Sequence, residues 1–145
     1  MFSSSMIIYS PSGDITPGMR DGIAQHTDIF PTMLNYLGYN KPYMAFGCDL
    51  LSTPADQTWA VNYLDGIYQY AKNGYVLQFD GEKSIGFYAL TDYIMAHNLL
   101  NDKSQTSNLQ PQTQEMEHEL KAIIQQYMMR MLENRLVPEG KEDAS

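Results

Sequence analysis

Four closely spaced apolar and aromatic runs occupy the middle of the chain: Trp59 to Leu64, Ile67 to Ala71, Tyr75 to Phe79 and Ser84 to Leu90. Turn-forming pairs separate them: Asp65-Gly66, Asn73-Gly74 and Asp80-Gly81. Asn-Gly is the strongest hairpin signal, because both central positions of a tight two-residue turn need φ > 0. Connections this short exclude a parallel crossover, which needs about a dozen residues or more. The pattern predicts a four-stranded antiparallel meander. Alternation places Tyr75, Leu77 and Phe79 on one face of the third strand, and Ile85, Phe87 and Ala89 on one face of the fourth.

Helical periods flank the meander. In HTDIFPTMLNYLGY (residues 26 to 39), Ile29, Phe30, Met33, Leu34 and Leu37 form one apolar stripe. Thr27 or Asp28 suits the N-cap, Pro31 falls near the first turn, and Gly38 suits the C-terminal cap. From Gln112 to Leu136, Met116, Leu120, Ile123, Ile124, Tyr127, Met131 and Leu132 recur at three- and four-residue steps. That spacing predicts one amphipathic helix ending near Val137-Pro138 and packing on a face of the meander. Met6-Ile7-Ile8-Tyr9, closed by Ser10-Pro11-Ser12-Gly13, reads as a buried strand ending in a turn. Thr91 or Asp92 opens a short helical turn toward Leu100. The segments are therefore 1-57 (strand, loop and helix), 58-100 (meander and helical turn), 101-111 (loop), 112-137 (C-terminal helix) and 138-145 (a mobile tail). As an isolated segment the chain is α+β.

Its 145 residues, 43% hydrophobic and 18% charged, suit one compact unit rather than a disordered chain. A formal net charge of −8 argues against nucleic acid and against docking on anionic lipid. Cys48 is the only cysteine, so neither an internal disulfide nor a multi-cysteine zinc site is available. It reads as a small buried apolar residue. No apolar run reaches membrane-spanning length, and Met1 to Ser5 lack the basic-then-apolar order of a secretory signal. No membrane contact is expected from this segment; an anchor on a parent protein would lie upstream.

Candidate chemistry is sparse. His26, His97 and His118 are far apart in sequence and pair with no second ligand at helical spacing. His26 stands at a loop-to-helix junction beside Asp28 and is the substrate-facing candidate, set against the plainer role of a hydrogen bond at the cap. No Gly-rich phosphate loop, H-E-x-x-H or G-x-S-x-G occurs. Asp65, Asp80 and Glu82 are hairpin residues first, too few for calcium's six to eight oxygens. The 11 tyrosines favour cross-strand packing over a stacking platform for sugars or bases. No catalytic residue and no metal ligand is assigned.

Two blocks carry a resemblance. IIYSP, then HTDIFPTMLNYLGY, then AFGCDLL is similar to the closing part of the sulfatase-type domain of the alkaline phosphatase superfamily, with its "Asp-Ile-x-Pro-Thr-x-Leu" helix ending in Gly. FDGEKSIGFYALTDYIMAHNLL resembles that family's C-terminal sheet: Phe87-Tyr88-Ala89-Leu90, Asp92 and Asn98-Leu99 match, whereas Tyr93 replaces the usual Pro and the usual Glu is absent. The final helix, with AIIQQYMMRMLENRL, looks most like the lipoteichoic-acid-synthase-like (phosphoglycerol transferase) branch of bacteria. The resemblance covers about residues 6 to 137.

It implies an α/β parent in which residues 1-57 close an alkaline-phosphatase-like sheet edge. The parent would be a membrane-anchored, extracytoplasmic enzyme that transfers or hydrolyses a phosphate or sulfate ester at a divalent metal (Mn, Mg, Ca or Zn). The family's nucleophile and Asp-His metal pair lie upstream of the first strand, and none of its ligands maps onto this chain. The segment is then a non-catalytic wall whose partner is the upstream catalytic part. The alternative is a stand-alone binding or scaffold module. Without an upstream partner, the strand and the helix face around Ile29 and Met33 would be exposed, and a homodimer is one way to cover them.

Overall fold

The computed structural model describes residues 5–102 and 106–136. The meander forms as its turns predict: β1 (Trp59–Leu64), β2 (Ile67–Lys72), β3 (Tyr75–Phe79) and β4 (Ser84–Ala89), antiparallel in that spatial order. Asp65-Gly66 and Asn73-Gly74 each adopt positive φ at both positions, which fixes the first two hairpins. Leu64 then faces Ile67, and Lys72 faces Tyr75.

A bulge at Gln78/Phe79 breaks the expected alternation of β4. Leu77 pairs with Phe87 but Phe79 pairs with Ser84, so Ile85 has no opposite residue. The parity of β4 slips there, and Ile85, Phe87 and Ala89 do not form one regular row. On the other face Gly86 is buried, and a Cβ there would overlap the Tyr88 ring and the Gln78 side chain.

Helix α2 (Thr106–Leu132) packs across the sheet. Its Met116 and Leu120 join Tyr70, Leu77, Phe79 and Phe87 in the core, with Ile123, Ile124, Leu109 and Trp59 around them. Two polar contacts flank this core. Glu119 accepts from the Tyr70 hydroxyl (2.9 Å) and from Lys72 Nζ (2.5 Å). Glu117 accepts from Ser84 Oγ and Lys121 Nζ, while that ammonium sits 5.1 Å from the centre of the Phe79 ring. The helix starts earlier than its apolar period predicts, so residues 106 to 111 are helix rather than loop. Pro111, six residues into the helix, gives up one helical hydrogen bond, and Leu109 gains a place against the core. The helix also ends sooner than expected. Asn134 takes φ 52°, its N–H bonds Met131 and the Arg135 N–H bonds Arg130, a left-handed cap that stops the helix. Val137-Pro138 and the tail at 138-145 lie outside the described residues, as do Met1 to Ser4.

Helix α1 (Ile29–Tyr36) follows a 3₁₀ turn, His26–Asp28, and ends with Gly38 at φ 69° in the same kind of cap. Most of its apolar stripe faces outward, the condition expected of this face without an upstream partner. Ile29, Phe30, Met33 and Leu37 are exposed, whereas Asp28, Pro31 and Thr32 are buried. The reason is hydrogen bonding: the loop from Gly47 to Leu50 lies on the polar side and takes its partners there. Met6 to Tyr9 forms no strand and is exposed. An extended segment becomes a strand only when a neighbour accepts its ladder, and no described segment does. The turn expected from Thr91 toward Leu100 shrinks to one 3₁₀ turn at Leu99–Asn101.

Candidate functional site

Three polar clusters contain the residues singled out by the sequence. The first holds α1 to the loop behind it. The Asp28 carboxylate accepts from the Gln25 N–H (2.8 Å) and the Cys48 N–H (2.7 Å). The Thr32 hydroxyl donates to the Asp28 carbonyl (2.6 Å) and accepts from the Leu50 N–H (2.9 Å). Asp49 accepts from Asn35 (2.6 Å) and from Ser52. The approach is close enough that a Cβ on Gly47 would overlap the Thr27 backbone. The sequence marked Asp28 as a possible cap but missed its burial; Gln25 and Asp28, three apart in the spacing of a capping box, are the signal that was present.

The second cluster ties the Ser10–Asp14 loop to the end of α1. Ser10, Ser12 and Tyr36 hydroxyls donate to the Asp14 carboxylate at 2.5, 2.6 and 2.8 Å. Those bonds, Ser10's first, hold the Asp14 carboxyl well below the usual carboxylate range. Nothing in the sequence pattern brought Tyr36 to Asp14; only folding does.

The third cluster closes the outer edge of β4. Asn98 Oδ1 accepts from the Phe87 N–H (3.2 Å) and Leu100 N–H (3.1 Å), and its Nδ2 donates to the Ile85 carbonyl (3.1 Å). The Asp92 carboxylate accepts from the His97 N–H (2.8 Å), which lowers its pKa. The opposite edge, β1, is met by Gln25 Oε1, which accepts from the Val61 N–H (3.1 Å). Side-chain amides thus occupy backbone groups that an edge strand would otherwise offer to a neighbour.

The three histidines stay apart. His26 is exposed at the start of the 3₁₀ turn, His118 is exposed on α2, and the His97 ring is exposed with Nδ1 3.9 Å from Asp92. Among the described residues, no group of three or more His, Cys, Asp or Glu could hold a metal ion. These residues therefore do not fit the divalent metal that the resemblance implies for a parent enzyme. Two shallow clefts lie on α2: one of about 300 Å³ beside Gln126, Met129, Arg130 and Arg135, and one of about 260 Å³ between Leu99, Leu100, Leu109 and Thr113. Neither contains a histidine or the cysteine.

Several ionisable groups are shifted from their ordinary values. Efficient proton transfer needs a pKa near the working pH. Asp14, Asp80 and Asp92 are shifted down by hydrogen bonds, Asp80's chiefly from the Lys83 and Glu82 backbone. Burial first, and then the Asp28 charge, pushes the Cys48 thiol up. Burial first, and then the bond to Glu119, pushes the Tyr70 phenol up.

No known family model, curated protein or solved structure matches the chain. Among the described residues no helix is long and apolar enough to cross a membrane.

Proposed function

We propose that this chain is the C-terminal, non-catalytic segment of a sulfatase-like enzyme of the alkaline phosphatase superfamily. That enzyme transfers or hydrolyses a phosphate or sulfate ester at a divalent metal, with the phosphoglycerol transferase type favoured. It works on the extracytoplasmic face of a bacterial membrane, and its nucleophile and metal ligands belong to an upstream catalytic part. One observation carries this reading: the polar residues of both resemblance blocks bind backbone. Asp28 and Thr32 of the first block hold the Cys48 and Leu50 amides, and Asn98 of the second holds the edge of β4. Their role in such an enzyme is to hold the wall of a cleft in shape. His26, exposed beside that wall, remains the residue offered for substrate contact.

A stand-alone binding or scaffold module is the second reading. What favours it is the core between the sheet and α2, where Leu77, Phe87 and Leu120 are fully buried within this chain alone.

Two measurements test the first reading. The reading frame upstream of Met1 should continue into a Thr, Ser or Cys nucleophile motif and an Asp-His-Gly stretch; a genuine translation start at Met1 defeats it. The purified 145-residue chain, given phosphatidylglycerol vesicles or an aryl sulfate with Mn²⁺, should turn over neither. Chelator-sensitive turnover by this chain alone would remove the case for a supporting role.

A further inference from the structure

The cleft of about 300 Å³ on α2 is made by the way the helix ends. Asn134 takes φ 52° and reverses the chain, so that the Arg135 N–H reaches the Arg130 carbonyl at 2.8 Å. On a continuous helix these two side chains would point roughly 140° apart. With the reversal both line the cleft, together with Gln126, Glu133 and the apolar Ala122 and Met129.

An arginine at a helix C-terminus has a plain role open to it, capping the last carbonyls. Here backbone N–H groups have taken them: those of Glu133, Asn134 and Arg135 bond the Met129, Met131 and Arg130 carbonyls at 2.9, 3.2 and 2.8 Å. Arg130 is half-buried, and its guanidinium makes no hydrogen bond or ion pair with a described residue. Arg135 meets Glu133 at 3.1 Å, but both side chains are exposed, and such a pair holds its partners weakly. The whole chain carries −8, whereas this cleft sets two cations against one carboxylate.

We propose that this cleft binds a small soluble phosphate monoester, with Arg130 and Arg135 on the phosphate and Ala122 and Met129 against its organic group. A phosphate monoester offers three acceptor oxygens and a charge of about −1.5 to −2, which suits two guanidinium forks. A carboxylate offers two oxygens and one charge, which a single fork satisfies. The volume is at the lower end of small-molecule sites, about 300–1,000 Å³, so the ligand is small. The net charge of −8 sets a soluble source above an anionic lipid surface. The proposal concerns the chain by itself and does not rest on the enzyme reading.

The test is an NMR titration of the full chain with phenyl phosphate at constant ionic strength, above the phosphate's second pKa of about 6. The Arg130 and Arg135 Nε–H signals and the Gln126 amide should shift and saturate in the millimolar range expected for so small a ligand. Arg130→Gln should weaken binding roughly tenfold or more. Arg130→Lys, which keeps the charge and loses the fork, should fall between that variant and the unaltered chain. Glu133→Gln frees Arg135 and should tighten binding roughly threefold. Lys83→Gln, at an exposed cation between β3 and β4, should change nothing. Benzoate should bind roughly tenfold more weakly than phenyl phosphate, and phosphatidylglycerol vesicles should not bind. Absence of saturable shifts overturns the proposal. So does equal binding of benzoate, indifference to Arg130→Gln, weaker binding by Glu133→Gln, sensitivity to Lys83→Gln, or capture by the vesicles.

Discussion

Asp28→Ala should open the loop behind α1 and leave the sheet folded. The carboxylate is 1% exposed and accepts two backbone N–H groups, from Gln25 and Cys48. A hydrogen bond to a charged group contributes about 1.5–3 kcal/mol. Both donors belong to half-buried residues, so water can replace part of what is lost. A net local cost of about 3 kcal/mol follows. At 1.4 kcal/mol per factor of ten, that is roughly a 100-fold gain in the open population. Amide hydrogen exchange reads it directly. The Cys48 and Leu50 amides should exchange roughly 100-fold faster in the variant, because local opening governs their protection. The Tyr70 and Leu77 amides, in the two interior strands, should change by less than about threefold. Equal acceleration in the sheet would mean that α1 and the sheet unfold as one unit. Unchanged Cys48 and Leu50 exchange would mean that the Asp28 bonds do not hold the loop. Either result refutes the reasoning.

Other consequences are equally accessible. Leu120→Ala, at a side chain with no exposure, should cost about 2–5 kcal/mol in urea unfolding, whereas Leu132→Ala, at 86% exposure, should stay within about 0.5 kcal/mol. Asp14 should titrate below a normal carboxyl in an NMR pH series, and Ser10→Ala or Tyr36→Phe should each move its midpoint up. Because the folded-state value is the lower one, the Asp14 contribution to stability is complete above the ordinary Asp value and is lost as pH falls through the folded value. Tyr70 has the opposite sign: its raised folded-state value means that its contribution is present below the ordinary phenol value near 10 and is lost as pH rises. In an alkaline absorbance titration Tyr70 should ionise only with unfolding, and Tyr70→Phe should remove that late component.

The chemistry was less legible in the sequence than the meander. The sequence places Asp14 in a loop, Tyr36 on a helix and Glu119 on another, with no spacing that links them. Their hydrogen bonds to Ser10, Tyr70 and Lys72 join residues up to 49 positions apart. Long-range pairs of this kind leave no periodic trace. Asn98 was visible as part of a motif, but its reach to Phe87 and Ile85 depends on how the 90–98 segment folds back along β4.

What the sequence alone determined is local. Asp65-Gly66 and Asn73-Gly74 set two hairpins, and Gly38 ends α1, because few residues accept positive φ and these sit where it is required. Tertiary structure decided which surface each element buries. Apolar spacing grouped Ile29, Phe30 and Met33 on one face of α1, but the Cys48 and Leu50 amides found acceptors at Asp28 and Thr32 on the other face and turned that one inward. The bulge in β4, the early start of α2 and the unpaired Met6 to Tyr9 have the same origin. Turn geometry belongs to two adjacent residues, whereas burial belongs to whichever distant partner the folded chain brings within reach.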